Sequence, residues 1–148
     1  MDTNPLFTSA LGLTPPWRVE RSNFNAEQRL LELYVDFKEG ARFQCPECKS
    51  SECAVHDTQE KRWRHMDFFQ HQSFIIARVP RVTCDRCGVR LVTVPWSRPG
   101  SGFTLLIEAL IIEMARAMPI RNVAQLLRVS DNRIWRVLKH YVDEALVS

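Results

Sequence analysis

The sequence predicts an α+β fold in which a small antiparallel β module is followed by an all-α domain. Three observations carry that expectation. Two C-x-x-C units, at Cys45 and Cys48 and at Cys84 and Cys87, bracket a stretch rich in Val, Ile, Thr, Phe and Trp. A concentrated run of breakers, Pro95 to Gly102, comes next. Beyond it the apolar spacing becomes helical.

Residues 1–40 are expected to form an N-terminal flap and a β-hairpin. Pro5 to Leu13 is a short apolar stretch, enough for one or two helical turns before Pro15 and Pro16 stop it. An extended run starts at Trp17, and Leu31, Leu33, Val35 and Phe37 then alternate with Glu32, Tyr34 and Asp36 at the period of a half-buried strand. A helix over Ala26 to Tyr34 competes, because Glu27, Gln28, Arg29 and the leucines are good helix formers. The strand reading is preferred, since no helical stripe continues through Val35, Phe37 and Gly40. Residues 41–96 form the expected β module, with strands at Arg62 to Phe69, Ser73 to Val79, Arg81 to Cys84 and Val89 to Val94. Residues 97–102 read as a linker and residues 103–148 as helical. Phe103 to Met118 is apolar around most of its circumference and is ended by Pro119.

Composition narrows the class. The chain has 148 residues, 45% of them hydrophobic, so it can bury one respectable core or two small ones. Its net charge of +3 is uneven: residues 1–40 carry −2, residues 41–98 carry +4 and residues 99–148 carry +1. No apolar run is long enough to span a bilayer, and Met1 to Leu13 lacks the features of a signal peptide, so a cytoplasmic protein with no membrane partner is expected. In a reducing compartment disulfides rarely persist, and five cysteines, four of them in two identical spacings, point to metal or redox chemistry.

The cysteine spacing favours metal. A C-x-x-C turn presents two thiolates together with backbone amides aimed at the sulfurs, and a structural zinc ion takes four such ligands in a tetrahedron. Cys45, Cys48, Cys84 and Cys87 are therefore the expected ligands of one structural zinc ion in a zinc ribbon, with Gly88 suited to the positive φ of the second knuckle. With every position filled by protein, no site remains for a catalytic water. A thioredoxin-like pair is disfavoured because neither unit opens a helix in a βαβ context. Cys53 reads as a small buried or partly exposed thiol in preference to an alternative ligand, His56 as a residue that could substitute for a cysteine but is not the preferred ligand, and His65 and His71 as solvent-facing or hydrogen-bonded imidazoles. Lys61, Arg62, Arg64 and His65, with Trp63 among them, and Arg81 suggest a basic β surface for phosphate; Arg62 and Arg64 are its candidate DNA contacts.

Ile120 to Leu127, the turn Arg128-Val129-Ser130, and Asp131 to Ala145 have the lengths of a helix-turn-helix. Val123, Ala124 and Leu127 face inward from the first helix, Val129 plugs the turn, and Ile134, Val137, Leu138 and Tyr141 line the second, which Ser130 caps. Arg128 stands where glycine usually eases the turn, at a cost of about 1 kcal/mol if φ is positive. Asn132, Arg133 and Arg136 are the candidate base readers; Arg121 and Lys139 are candidate phosphate contacts. Trp135 suits packing on the β module or contact with DNA equally well.

The order C-P-E-C, V-H-D-T, R-W-R-H-M-D-F-F-Q-H, R-V-P-R-V-T-C-D-R-C-G, V-P-W-S-R-P-G-S-G-F-T and V-A-Q-L-L-R-V-S-D-N-R-I-W-R-V-L resembles the N-terminal half of ISL-three-family insertion-sequence transposases, across nearly the whole chain. The resemblance implies a zinc ribbon and a helix-turn-helix that bind the terminal inverted repeats of a mobile element, in a bacterial, nucleoid-associated protein. It also implies a ribonuclease-H-like catalytic domain beyond Ser148. None of that domain's acidic residues transfers to this chain, so no enzyme activity is expected of it. Its expected partner is double-stranded DNA at the element ends, and a homodimer stays open. The competing readings are a zinc-dependent interaction or dimerisation module and a stand-alone DNA-binding regulator.

Overall fold

A computed structural model describes residues 2–147. They divide into two compact units, the first ending at Thr104 and the second starting at Leu105.

The first unit opens with helix α1, Asn4–Ala10, followed by strands β1, Trp17–Asn25, and β2, Leu30–Phe37. Two side chains tie the helix to β1: Thr8 Oγ1 accepts from the Val19 amide at 3.0 Å, and Asn4 Nδ2 donates to the Glu20 carbonyl at 2.7 Å. In β2 Leu31, Leu33, Val35 and Phe37 are buried and their neighbours half-buried, as the alternation predicts, and no helix forms over residues 26–34. Strands β3, Ala54–Phe68, and β4, His71–Cys84, make a long hairpin, and β5, Gly88–Leu91, returns along β4.

The fold class expected from the sequence, a small antiparallel β module followed by an all-α domain, is corrected here. All five strands join in one mixed sheet, ordered β1-β2-β4-β3, with β5 also paired to β4. β2 runs parallel to β4 over Leu30–Val35 and Gln72–Ala77, while the other pairings are antiparallel. The parallel pair follows from connectivity: the chain leaves β2, traverses β3 and reverses once more, so β4 runs in the direction of β2. Parallel neighbours need a long crossover of this kind, and the intervening residues supply it. The short helix α1 precedes the strands, where one or two helical turns were expected. The strands expected separately on either side of Pro80 are one strand. Proline has no amide hydrogen to donate to a ladder. Pro80 falls in the interval between Ala77, the last partner of β2, and Arg81, the first partner of β5.

Aromatic rings fill one side of this core. Trp17 meets Trp96 edge-on at 5.0 Å between centroids, Trp96 meets Trp63 at 5.4 Å, and Phe37 and Phe43 close on Trp17 at 5.6 Å each. Edge-to-face pairs of this kind contribute about 0.5 to 1.5 kcal/mol each beyond their buried area. After Trp96 the chain loops through residues 97–102 and returns to β3: the Arg64 amide donates to Gly102 at 2.9 Å, and the Thr104 amide donates to Arg64 at 3.0 Å.

That return half-buries His65, whose Nδ1 lies 2.7 Å from Thr104 Oγ1. Burial, and then the neighbouring Arg64 charge, lower its pKa. The unfolded chain therefore binds the His65 proton more readily than the folded one. Stability from this group is complete above the unfolded value of about 6.5 and is lost as pH falls below it, at no more than about 1.4 kcal/mol per pH unit. Urea midpoints at pH 7.5 and pH 5.5 should therefore differ more for the wild type than for His65→Gln; equal differences would remove the imidazole from the account.

The second unit holds α2, Leu105–Ala117, α3, Ile120–Leu127, and α4, Asp131–Val147. Ile107, Ile111, Val123, Ala124, Leu127, Ile134 and Val137 are its buried apolar residues. Glu108 is buried with them and accepts the Tyr141 hydroxyl at 2.8 Å. Between α3 and α4, Arg128 adopts the left-handed conformation, φ 58° and ψ 47°, and its amide caps the α3 carbonyls. Ser130 Oγ accepts from the Arg133 amide at 3.3 Å and caps α4. The strain at Arg128 is the cost foreseen for a non-glycine residue in this turn.

Candidate metal centre and nucleic-acid interface

The first knuckle is a tight turn. The Cys45 amide donates to Ser50 at 2.9 Å and the Lys49 amide to Cys45 at 3.1 Å, with Lys49 at φ 65°. A bridge between Phe43 and Cys53 closes its base, with N···O distances of 3.0 and 2.8 Å. The second knuckle is the turn joining β4 to β5, where Gly88 sits at φ 80° and pairs with Cys84.

These turns bring Cys45, Cys48, Cys84 and Cys87 together, with all four sulfurs within 4.8 Å of one another and Cys48 and Cys84 3.4 Å apart. A tetrahedral zinc site with Zn–S bonds of about 2.3 Å has its sulfurs about 3.8 Å apart, so the cluster has the dimensions of a metal site. Cys53 is buried nearby but outside the group, its sulfur toward the Ser50 carbonyl at 3.5 Å, and burial pushes its thiol pKa up. His56 is exposed and outside the cluster as well.

The electrostatics favour thiolate at part of the cluster. The Ser50 hydroxyl, 3.1 Å from the Cys48 sulfur, and then the Ser50 amide bring Cys48 down to about 6. The Cys87 and Arg86 amides lower Cys84. Cys87 is pushed up to about 12, chiefly by its interaction with Cys48. Four thiolates this close repel one another, so a cation among them is what would let all four ionise. Ser50 was not identified as part of the site from sequence; its position two residues after Cys48 was the only signal.

Among the expected DNA contacts, Asn132 and Arg136 lie exposed near the start of α4, with Arg133 half-buried beside them. Lys139 is exposed and pairs with Asp143 at 2.6 Å, and Arg121 is exposed on α3. Trp135 is 57% exposed. The sheet arginines are a different matter. Arg62 pairs with Glu32 at 2.6 Å and lies over Phe74; it lowers the Glu32 pKa. Arg81 is held by both carboxylate oxygens of Asp57, whose pKa it lowers. Arg64 is only 2% exposed, donating to the His65 carbonyl and to Asp67 at 2.5 Å. The expectation that Arg64 presents its charge to phosphate is therefore corrected: its guanidinium is buried and paired.

A four-cysteine β unit and a capped helix-turn-helix together define a zinc-finger and helix-turn-helix DNA-binding protein. Known families give the same answer. Residues 41–87 match the zinc-finger of transposase IS204/IS1001/IS1096/IS1165, and residues 92–142 match the helix-turn-helix domain of transposase family ISL3. Both matched regions are those of transposases, and between them they take in most of residues 41–142. The second match starts at Val92, within the sheet unit, so the helix-turn-helix region is not purely helical. Transposases for insertion sequence element IS1557 from two strains of Mycobacterium tuberculosis are each 31% identical over 78 residues. The alignment takes in 53% of this chain and 17% of theirs, so the chain spans only a small part of these relatives. No solved structure matches the chain. Among the described residues no helix is long and apolar enough to cross a membrane.

Proposed function

We propose that this chain is the DNA-binding part of a transposase, reading the terminal inverted repeats of its mobile element with α4. The observation that carries the reading is the turn between α3 and α4. Arg128 in the left-handed conformation and the Ser130 cap set α4 against a buried seam of Val123, Ala124, Leu127, Ile134 and Val137. Its first turns then offer Asn132, Arg133 and Arg136 to base edges, while Arg121 and Lys139 meet phosphates. Arg62 adds charge from the sheet only where it exchanges Glu32 for phosphate.

One zinc ion on Cys45, Cys48, Cys84 and Cys87 supplies structure to the ribbon and no open coordination position. Ser50 and the knuckle amides hold charge on the Cys48 and Cys84 sulfurs. Strand cutting is assigned to none of these residues, since both matched regions are DNA-binding ones. Fluorescence anisotropy of labelled duplexes tests the reading: element-end DNA should bind at least a thousandfold more tightly than unrelated duplex at about 150 mM salt. Equal affinity for the two would sink it.

A dimerisation module is the second reading, favoured by exposed Leu105, Leu106, Val142 and Leu146 on α2 and α4. In that case self-association would survive loss of the Asn132 and Arg136 side chains.

A further inference from the structure

The sheet unit contains a cavity of about 380 Å³ beneath the 97–102 loop, lined on one side by Lys61, Arg62 and Trp63 and on the other by Arg98, Gly100, Ser101 and Gly102. Its lining holds three cationic residues and no carboxylate. Of the sheet unit's cations, Arg18, Arg62, Arg64, Arg78, Arg81 and Arg90 each have a carboxylate partner, Arg62 through Glu32 outside the cavity lining. Lys61 meets no carboxylate among the described residues and is exposed.

The loop contributes donors of a different kind. Its far limb is fixed to β3 by the Arg64 and Gly102 hydrogen bond, and its turn is closed by the Ser101 amide on Arg98 at 3.2 Å. Gly100 takes φ 81°, a conformation that strains any other residue, and a Cβ there would meet nothing within 4 Å. The amides of Gly100 and Gly102 make no hydrogen bond among the described residues. A fixed loop whose glycine amides have no protein partner among the described residues, lining the same cavity as a lysine and no acidic group, is suited to a tetrahedral oxyanion.

We infer that this cavity is a phosphate site, with Lys61, Arg98 and the loop amides of Gly100 and Gly102 binding a phosphodiester of the DNA backbone. The inference rests on the DNA-binding reading above and adds to it a contact outside the helix-turn-helix. It also shifts the basic surface of the sheet from Arg62, Arg64 and Arg81, which are paired with Glu32, Asp67 and Asp57, to Lys61. Such a contact positions DNA and carries no base information.

The zinc-loaded chain is titrated with duplex DNA across a salt series, as wild type, as Lys61→Gln and as a control, Arg18→Gln on β1. One lost phosphate contact lowers the slope of log K against log salt by about 0.9, which at about 0.1 M salt is roughly a fivefold to tenfold loss of affinity. Lys61→Gln should show that loss equally on element-end and unrelated duplexes, and Arg18→Gln should not. Amide resonances of Gly100 and Gly102 should shift with DNA and, more weakly, with inorganic phosphate. An unchanged slope in Lys61→Gln, with the wild type binding DNA, overturns the inference while leaving the functional reading intact. Shifts with inorganic phosphate alone, with that slope unchanged, would make the cavity a free-phosphate site and overturn the DNA assignment. A wild type that binds no DNA overturns the functional reading, and this inference with it.

Discussion

Cys84→Ser is expected to release the metal and to unfold the ribbon end of the sheet. Cys84 is buried, ends β4 and pairs with Gly88 across the second knuckle, so its sulfur joins the strand ladder to the metal cluster. A serine hydroxyl remains protonated where the Cys84 sulfur is held toward thiolate by the Cys87 and Arg86 amides. Structural zinc in small domains contributes an apparent binding free energy of about 10 to 16 kcal/mol near neutral pH, far more than one knuckle's hydrogen bonds supply. Losing one ligand of four should therefore abolish tight binding: about one zinc per chain in the wild type falls to none after brief exposure to a chelator. The Trp17, Trp63 and Trp96 fluorescence and the strand signal in circular dichroism should change with it. Cys53→Ser is the matched control, since that sulfur lies outside the cluster; it should keep its zinc despite the cost of a buried hydroxyl. Retention of zinc and an unchanged dichroism spectrum in Cys84→Ser would refute the ligand assignment.

How much of this was legible beforehand depended on the range of the interactions involved. The two knuckles were readable because a C-x-x-C turn is built from adjacent residues, and Gly88 carries its positive φ in its residue type. The α3–α4 turn was readable for the same reason: the Ser130 cap and the Arg128 strain are local consequences of local residues. The alternation in β2 announced a strand with one face buried. It did not announce β4 as a parallel neighbour, since that choice is made between segments some forty residues apart. The same limit explains Arg64. A period-two pattern puts it opposite Trp63, on a face that would be exposed, yet both residues are buried. The return of the chain at Phe103 and Thr104 covers Arg64, and Asp67 three residues on takes its charge. A count of cations along β3 could see the charges but not the carboxylates that meet them across the sheet, Glu32 from β2 above all.

Replacing Asn132 and Arg136 together by alanine should remove sequence discrimination while leaving general DNA affinity largely in place. The two residues are four apart on α4, so they project from one face, and both are exposed while Ile134 and Val137 between and beyond them are buried. Asparagine matches the adenine edge and arginine the guanine edge in the major groove, each good pair contributing about 1 to 3 kcal/mol of discrimination. The double variant should therefore bind element-end DNA roughly thirtyfold to twenty-thousandfold more weakly, with little change on unrelated duplex. Lys139→Ala offers the contrast. Its ammonium already shares Asp143, and as a phosphate contact it should weaken all duplexes alike and lower the salt slope. Thermal unfolding of the double variant should match the wild type, because neither side chain is part of the Val123, Leu127 and Ile134 seam. If discrimination persisted in the double variant, α4 would not be the reading helix. The exposed Trp135 on the same helix, together with Leu126 at the end of α3, would then belong to a protein contact, and sedimentation of the DNA-free chain would show the self-association that the dimerisation reading requires.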